Sequence, residues 1–117
     1  MRIKIFKSME TTRGIEIGNW LYDKNGISKQ VTEIYDDSVT MGNELHHIST
    51  VKPIPLTEEI LEKNGIYYQF GGFPWWQSNE MEEEYQVHFA PNCQFVVQYV
   101  HELQNLLNII HPMEIWL

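Results

Sequence analysis

Histidine and cysteine are among the residues of this 117-residue chain whose chemistry could support catalysis or metal binding. His46 and His47 are adjacent, and neighbouring residues of a strand point to opposite faces, so these two imidazoles cannot chelate one ion together. His88 and His101 have no cysteine or carboxylate at metal-ligand spacing around them. Cys93 has no base or cationic residue close in the sequence that would activate its thiol. These residues therefore predict no metal site and no nucleophile.

Carboxylates occur in pairs and runs, as at Asp36-Asp37 and Glu82-Glu83-Glu84. Because these stretches are strongly polar, we expect them to lie in water. General acid–base catalysis instead needs carboxylates held in a cleft that shifts their pKa values. The sequence therefore predicts a non-catalytic protein with no cofactor and no metal.

Aromatic residues are dense between positions 67 and 76. The five are Tyr67, Tyr68, Phe73, Trp75 and Trp76, and they surround Gly71-Gly72. One hypothesis is an aromatic lid that covers a sheet. The other is a contact surface on a loop, because Trp and Tyr dominate interface hot spots and also stack on nucleobases. We take these five residues as the candidate binding site, with the lid as the alternative.

The charge balance limits the kinds of partner. The chain has 8 Lys and Arg residues against 16 Asp and Glu residues, for a net charge of −8 with histidine neutral. Binding to a nucleic-acid backbone needs clustered basic residues, so the sequence predicts no direct contact with DNA or RNA. An acidic surface suits solubility or a basic protein partner.

Cysteine usage and hydropathy indicate the compartment. Cys93 is the only cysteine, which excludes an internal disulfide and favours a cytoplasmic location. No apolar run approaches the roughly 18 residues of a membrane span, and the N-terminal stretch lacks the apolar core of a signal peptide. We therefore expect a cytoplasmic protein that does not contact a membrane.

The first half of the chain shows the spacing of short antiparallel strands. Residues 17–23 and 27–35 are β-prone and flank Lys24-Asn25-Gly26, a strong hairpin signal. Further strands are predicted over 39–41 and 44–48, with a tight turn at Gly42-Asn43 between them. Such a meander predicts a strongly twisted antiparallel sheet or a small, partly open barrel.

Two helices are predicted in the rest of the chain. The first spans 57–63, with Thr57 as its N-cap and Asn64-Gly65 as its C-terminal stop. The second is amphipathic and lies near 98–111, where apolar residues recur at helical spacing up to Pro112.

Between these helices, strands are predicted at 66–70 and 85–89, a loop at 71–76, and a strand or helix entry at 94–97. A further short strand is predicted within 1–14. The predicted fold class is α+β, mostly β, in a single domain over residues 1–117.

Several of these segments resemble a family of small uncharacterised proteins that phages and prophages of the Bacteroidetes carry. The matching residues lie within 17–65, notably Asn19-Trp20-Leu21-Tyr22-Asp23 and the stretch from Pro53 to Leu61, and within the helical segment 99–107. The resemblance covers about half of the chain and none of 66–98. It implies a genomic setting and carries no catalytic residues.

Taken together, the sequence predicts a non-catalytic phage- or prophage-encoded protein that binds a host bacterial protein, such as a component of a defence system. One alternative is a protein that sequesters a nucleotide signal in a pocket at a homo-oligomer interface. Another alternative is an acidic mimic of DNA, in which rows of carboxylates imitate phosphates. A homo-oligomer is compatible with each of these hypotheses.

Overall fold

The computed structural model describes residues 9–69, 72–79, 84–110 and 113–117. The chain divides into two compact units, with the boundary in the sequence between Ile54 and Pro55. Within these described ranges, each unit contains one open sheet, and most of the regular structure is strand. The predicted α+β, mostly β fold is therefore confirmed, with open sheets in place of the barrel alternative. The single domain over 1–117 stays a prediction.

The first unit is the predicted meander. Its strands are β1 (Trp20–Tyr22), β2 (Ser28–Ile34), β3 (Ser38–Met41), β4 (Glu44–His47) and β5 (Lys52–Pro53). Neighbouring strands are antiparallel and follow the order β4-β3-β2-β1-β5. Inward-facing apolar side chains of these strands, among them Leu21, Val31, Val39 and Met41, form one buried cluster with Val51, which precedes β5. The four predicted strands of this meander are confirmed.

Two connections between strands of this sheet contain residues with positive φ. Gly42 and Asn43 both have positive φ, at 57° and 69°, as the favoured two-residue hairpin turn requires. In the β1–β2 hairpin only Gly26 has positive φ, because the connection is longer and an aspartate side chain organises it.

That side chain is the carboxylate of Asp23, which is 2% exposed. It accepts hydrogen bonds from the main-chain N–H groups of Asn25 at 2.8 Å and Ile27 at 3.0 Å. Its other oxygen pairs with the Nζ of Lys29 at 3.1 Å. The hydrogen bond from Ile27, helped by Lys29 and Asn25 against the effect of burial, lowers the pKa of Asp23. The hairpin is therefore stabilised by one buried anion.

The second unit combines two helices with a four-stranded sheet. Its elements are α1 (Glu58–Lys63), β6 (Tyr67–Tyr68), β7 (Trp75–Asn79), β8 (Glu84–Ala90), β9 (Cys93–Val97) and α2 (Val100–Ile110). The sheet order is β6-β7-β8-β9, with β6 and β7 parallel and the other pairs antiparallel. The predicted strand over 66–70 is reduced to two described residues, and 94–97 belongs to a strand.

The helix ends follow local capping rules. The Thr57 hydroxyl accepts a hydrogen bond from the N–H of Ile60 at 3.2 Å, which confirms the predicted N-cap of α1. At the start of α2, a carboxylate oxygen of Glu102 accepts from the N–H of Tyr99 at 2.9 Å, as in half of a capping box. The predicted end of α2 at residues 111 and 112 lies outside the described residues, as does most of the predicted strand within 1–14.

Candidate functional site

The five residues predicted to bind a partner lie on or beside the first two strands of the second unit's sheet, β6 and β7. In the parallel pair of β6 and β7, Tyr67 lies opposite Trp75 and Tyr68 lies opposite Trp76. Phe73 lies in the connection that leads into β7. The predicted loop over 71–76 is therefore wrong at positions 75 and 76, which belong to a strand.

Exposure separates the five residues into two groups. Tyr67, Tyr68 and Phe73 are 54%, 52% and 49% exposed. Trp76 is only 3% exposed, and Trp75 is partly buried. The segment thus combines a buried ring with a group of exposed rings, so neither the lid nor the contact surface describes it completely.

Strand alternation explains the burial of Trp76. Successive side chains of a strand point to opposite faces, and Trp76 is the register partner of the fully buried Val87. The ring of Tyr68 lies 4.8 Å from the Trp76 ring, and the Tyr85 ring meets it edge-on at 5.5 Å. Among the described residues, nothing accepts a hydrogen bond from the Trp76 indole nitrogen. Trp76 is therefore a buried ring against which the half-exposed ring of Tyr68 packs.

Trp75 lies on the opposite face of β7. It is the register partner of His88, and the two rings stack with centroids 3.8 Å apart and planes 1° from parallel. Burial lowers the pKa of His88, and its Nε2 has no hydrogen-bond partner in the part of the chain that the structure describes. His88 is thus packed against Trp75 in surroundings that disfavour its charged form. The sequence alone does not predict the stack of His88 on Trp75, because the register between two strands decides which residues lie opposite each other.

A hollow of about 280 Å³ opens beside Trp76. The described residues that line it are Glu58 and Glu62 from α1, Tyr68 from β6, and Trp76 and Ser78 from β7. Glu58 and Glu62 lie one turn apart on the helix and so share a face. The sequence places Glu58 at the start of a predicted helix but does not predict the hollow, because local signals do not show which face of α1 borders it.

Within the described ranges, no three His, Cys, Asp or Glu side chains lie close enough together to hold a metal ion. No helix in the described part of the chain combines the length and the apolar character needed to cross a membrane. Cys93 is partly buried and forms no disulfide.

The chain matches no protein-family model, no curated protein and no solved structure. The resemblance to phage proteins stays a prediction.

Proposed function

We propose that this chain is a non-catalytic binding protein that contacts another protein through Tyr67, Tyr68 and Phe73. The observation that carries this proposal is the exposure of these three rings, each about half accessible. Tyr67 and Tyr68 lie on the edge strand β6, and Phe73 lies in the connection into the neighbouring strand β7. Large aromatic side chains are the commonest hot-spot residues in protein interfaces. An exposed group of them, rimmed by polar residues, is typical of a contact surface.

The scaffold below these rings supports this function. Tyr68 packs against the buried Trp76, and the N–H of Gln69 donates to the carbonyl of Trp76 at 3.0 Å. The two strands are therefore joined by both main-chain and ring contacts. Rings held in place before binding lose little conformational freedom on association.

The partner is a host bacterial protein with a basic contact surface. The net charge of −8 attracts basic proteins and repels nucleic acid. The resemblance to phage proteins supports a bacterial host, its cytoplasm as the place of action, and a defence component as one class of target. Sequestration of a nucleotide has less support, because the described lining of the hollow includes two carboxylates and no basic side chain.

Affinity enrichment from bacterial extract, followed by titration of the purified partner, tests the proposal. The test variant is the double substitution Tyr67→Ala with Phe73→Ala. Its matched control is Tyr35→Ala, since Tyr35 is 49% exposed like Phe73 but belongs to the first unit. Loss of hot-spot contacts worth about 2 kcal/mol corresponds to roughly 30-fold weaker binding.

The proposal requires that the wild type and Tyr35→Ala bind one partner with equal affinity and that the double variant binds it at least tenfold more weakly. Equal affinity of all three proteins would exclude this surface as the contact. Measurable turnover of a small-molecule substrate by the purified wild type would instead overturn the non-catalytic assignment.

A further inference from the structure

The hollow beside Trp76 joins two chemical features that are separate in the sequence. One wall is the face of α1 that presents Glu58 and Glu62, and the other consists of Tyr68, Trp76 and Ser78 from the sheet. All five residues belong to the second unit. The hollow is open to solvent, and its volume of about 280 Å³ suits a single long side chain rather than a larger ligand.

The helix wall is anionic. Glu58 and Glu62 are both exposed, and no basic side chain among the described residues forms an ion pair with either carboxylate. Burial raises the pKa of the neighbouring Tyr85, and the negative charge of Glu58 raises it further. An incoming cation would therefore meet a site where two negative charges lie one helical turn apart.

The sheet wall is aromatic. Tyr68 is 52% exposed and its ring leans on Trp76 at 4.8 Å, with 55° between the ring planes. Tyr85 supports Trp76 from a nearly perpendicular position at 5.5 Å. The face of an aromatic ring carries negative electrostatic potential and attracts cations within about 6 Å of the ring centre. The half-exposed ring of Tyr68 and the two carboxylates thus both favour a positively charged group.

We infer that the hollow between α1 and β6–β7 receives an arginine side chain of the protein partner. The guanidinium group is planar, stacks on aromatic rings and donates several hydrogen bonds to carboxylates at once. A lysine ammonium shares the charge but neither the planarity nor the fork of donors. This inference rests on the proposed function, since it identifies a group that the partner inserts next to the exposed aromatic rings.

Capped tripeptides test the inference without knowledge of the partner. The probes are Gly-Arg-Gly, Gly-Lys-Gly and a neutral analogue with citrulline in place of arginine. Each is titrated into the full-length protein while amide and indole shifts are followed by NMR. We expect the arginine peptide to bind most tightly, to shift the Trp76 indole signal and to lose affinity as salt is added.

Three substitutions connect the binding to the hollow. Glu58→Gln and Glu62→Gln should each weaken the arginine peptide roughly two- to fivefold, the range of an exposed ion pair. Tyr68→Leu should have a similar effect of roughly two- to fivefold through the lost ring face. Glu59→Gln is the matched control, because Glu59 is exposed on the same helix and does not line the hollow.

The outcomes are distinct. Equal binding of the arginine and citrulline peptides, or no binding of either, would overturn the inference. Tighter binding of the lysine peptide would overturn the choice of arginine. An effect of Glu59→Gln equal to that of Glu62→Gln would show attraction by the general acidic surface and no specific site. If the peptides fail while Phe73-dependent partner binding stands, the hollow is excluded and the proposed function is not.

Discussion

The indole ring of Trp75 and the imidazole ring of His88 lie face to face on adjacent strands, 3.8 Å apart and parallel to within 1°. This stack occupies the face of β7 opposite to Trp76. Burial disfavours the charged imidazolium, so the pKa of His88 is lowered from its ordinary value of 6.5. Burial also lowers the pKa of His101 in α2, although Glu102 acts in the opposite direction.

These two histidines predict that the protein loses stability in mild acid. In the unfolded chain both imidazoles take up protons near pH 6.5, whereas in the folded chain they stay neutral to lower pH. The unfolded state therefore binds more protons below pH 6.5, and the free energy of unfolding falls as the pH decreases through this range. We expect Tm to fall between about pH 7.5 and about pH 5.5.

The double variant His88→Phe with His101→Phe isolates this contribution, since phenylalanine keeps a flat ring and cannot be protonated. Thermal unfolding of both proteins across the pH range should show a shallower decline of Tm in the variant. Parallel curves for the two proteins would mean that other groups cause the decline.

The two groups of aromatic residues predict opposite mutational effects. Trp76→Ala removes a ring that is 3% exposed and should lower the free energy of unfolding by about 3–5 kcal/mol. Phe73→Ala removes a half-exposed ring and should change it by less than about 0.5 kcal/mol. Denaturant titration of both variants checks the difference. A large loss for Phe73→Ala would indicate that its ring is part of a lid.

Asp23 is predicted to be the residue on which the first hairpin depends most. Asp23→Ala leaves two main-chain N–H groups without their acceptor, whereas Lys29→Ala removes only the ion pair. We therefore expect a larger fall in Tm for Asp23→Ala than for Lys29→Ala. Equal losses would assign the stabilisation to the ion pair alone.

The same carboxylate adds a second dependence on pH. Because the pKa of Asp23 is lowered from 3.8, its stabilising effect is complete above that value. The effect is lost as the pH falls below 3.8 and through the folded pKa. Acid unfolding of the wild type and of Asp23→Ala should thus converge at low pH, and a constant difference in stability would contradict this account.

Helix α2 offers a matched pair of substitutions. Leu103 is fully buried and Ile109 is 78% exposed, although both are apolar residues of the same helix. Leu103→Ala should cost about 2–5 kcal/mol of stability, and Ile109→Ala should cost less than about 0.5 kcal/mol. Chemical unfolding followed by circular dichroism measures both. A small effect of Leu103→Ala would show that this face of α2 contributes little to packing.

The structural elements that the sequence predicted well depend on local signals. Thr57 caps α1 through a bond to a residue three positions away, and Gly42-Asn43 turns the chain within two residues. Both signals are contained in a few consecutive residues. The aromatic residues are also close in the sequence, and the pairing of β6 with β7 places Tyr67 and Tyr68 opposite Trp75 and Trp76.

The features that the sequence did not predict depend on register and packing. Gly72 and Pro74 precede Trp75, so the segment has the composition of a loop. Pairing of Trp75 and Trp76 with both β6 and β8 makes these two residues part of a strand. The stack of Trp75 on His88 and the hollow between Trp76 and Glu62 join residues that are 13 or more positions apart. No local pattern specifies such neighbours.

The meander of the first unit has a consequence for the order of folding. Strands β1 to β4 each pair with their neighbours in the sequence, so their contacts have low contact order and require only short loop closures. Hairpins of this kind form in about 1–10 μs. Strand β5 pairs with β1 only after the whole meander has been spanned. From this connectivity we expect β5, at the edge next to β1, to be the last strand of this sheet to pair.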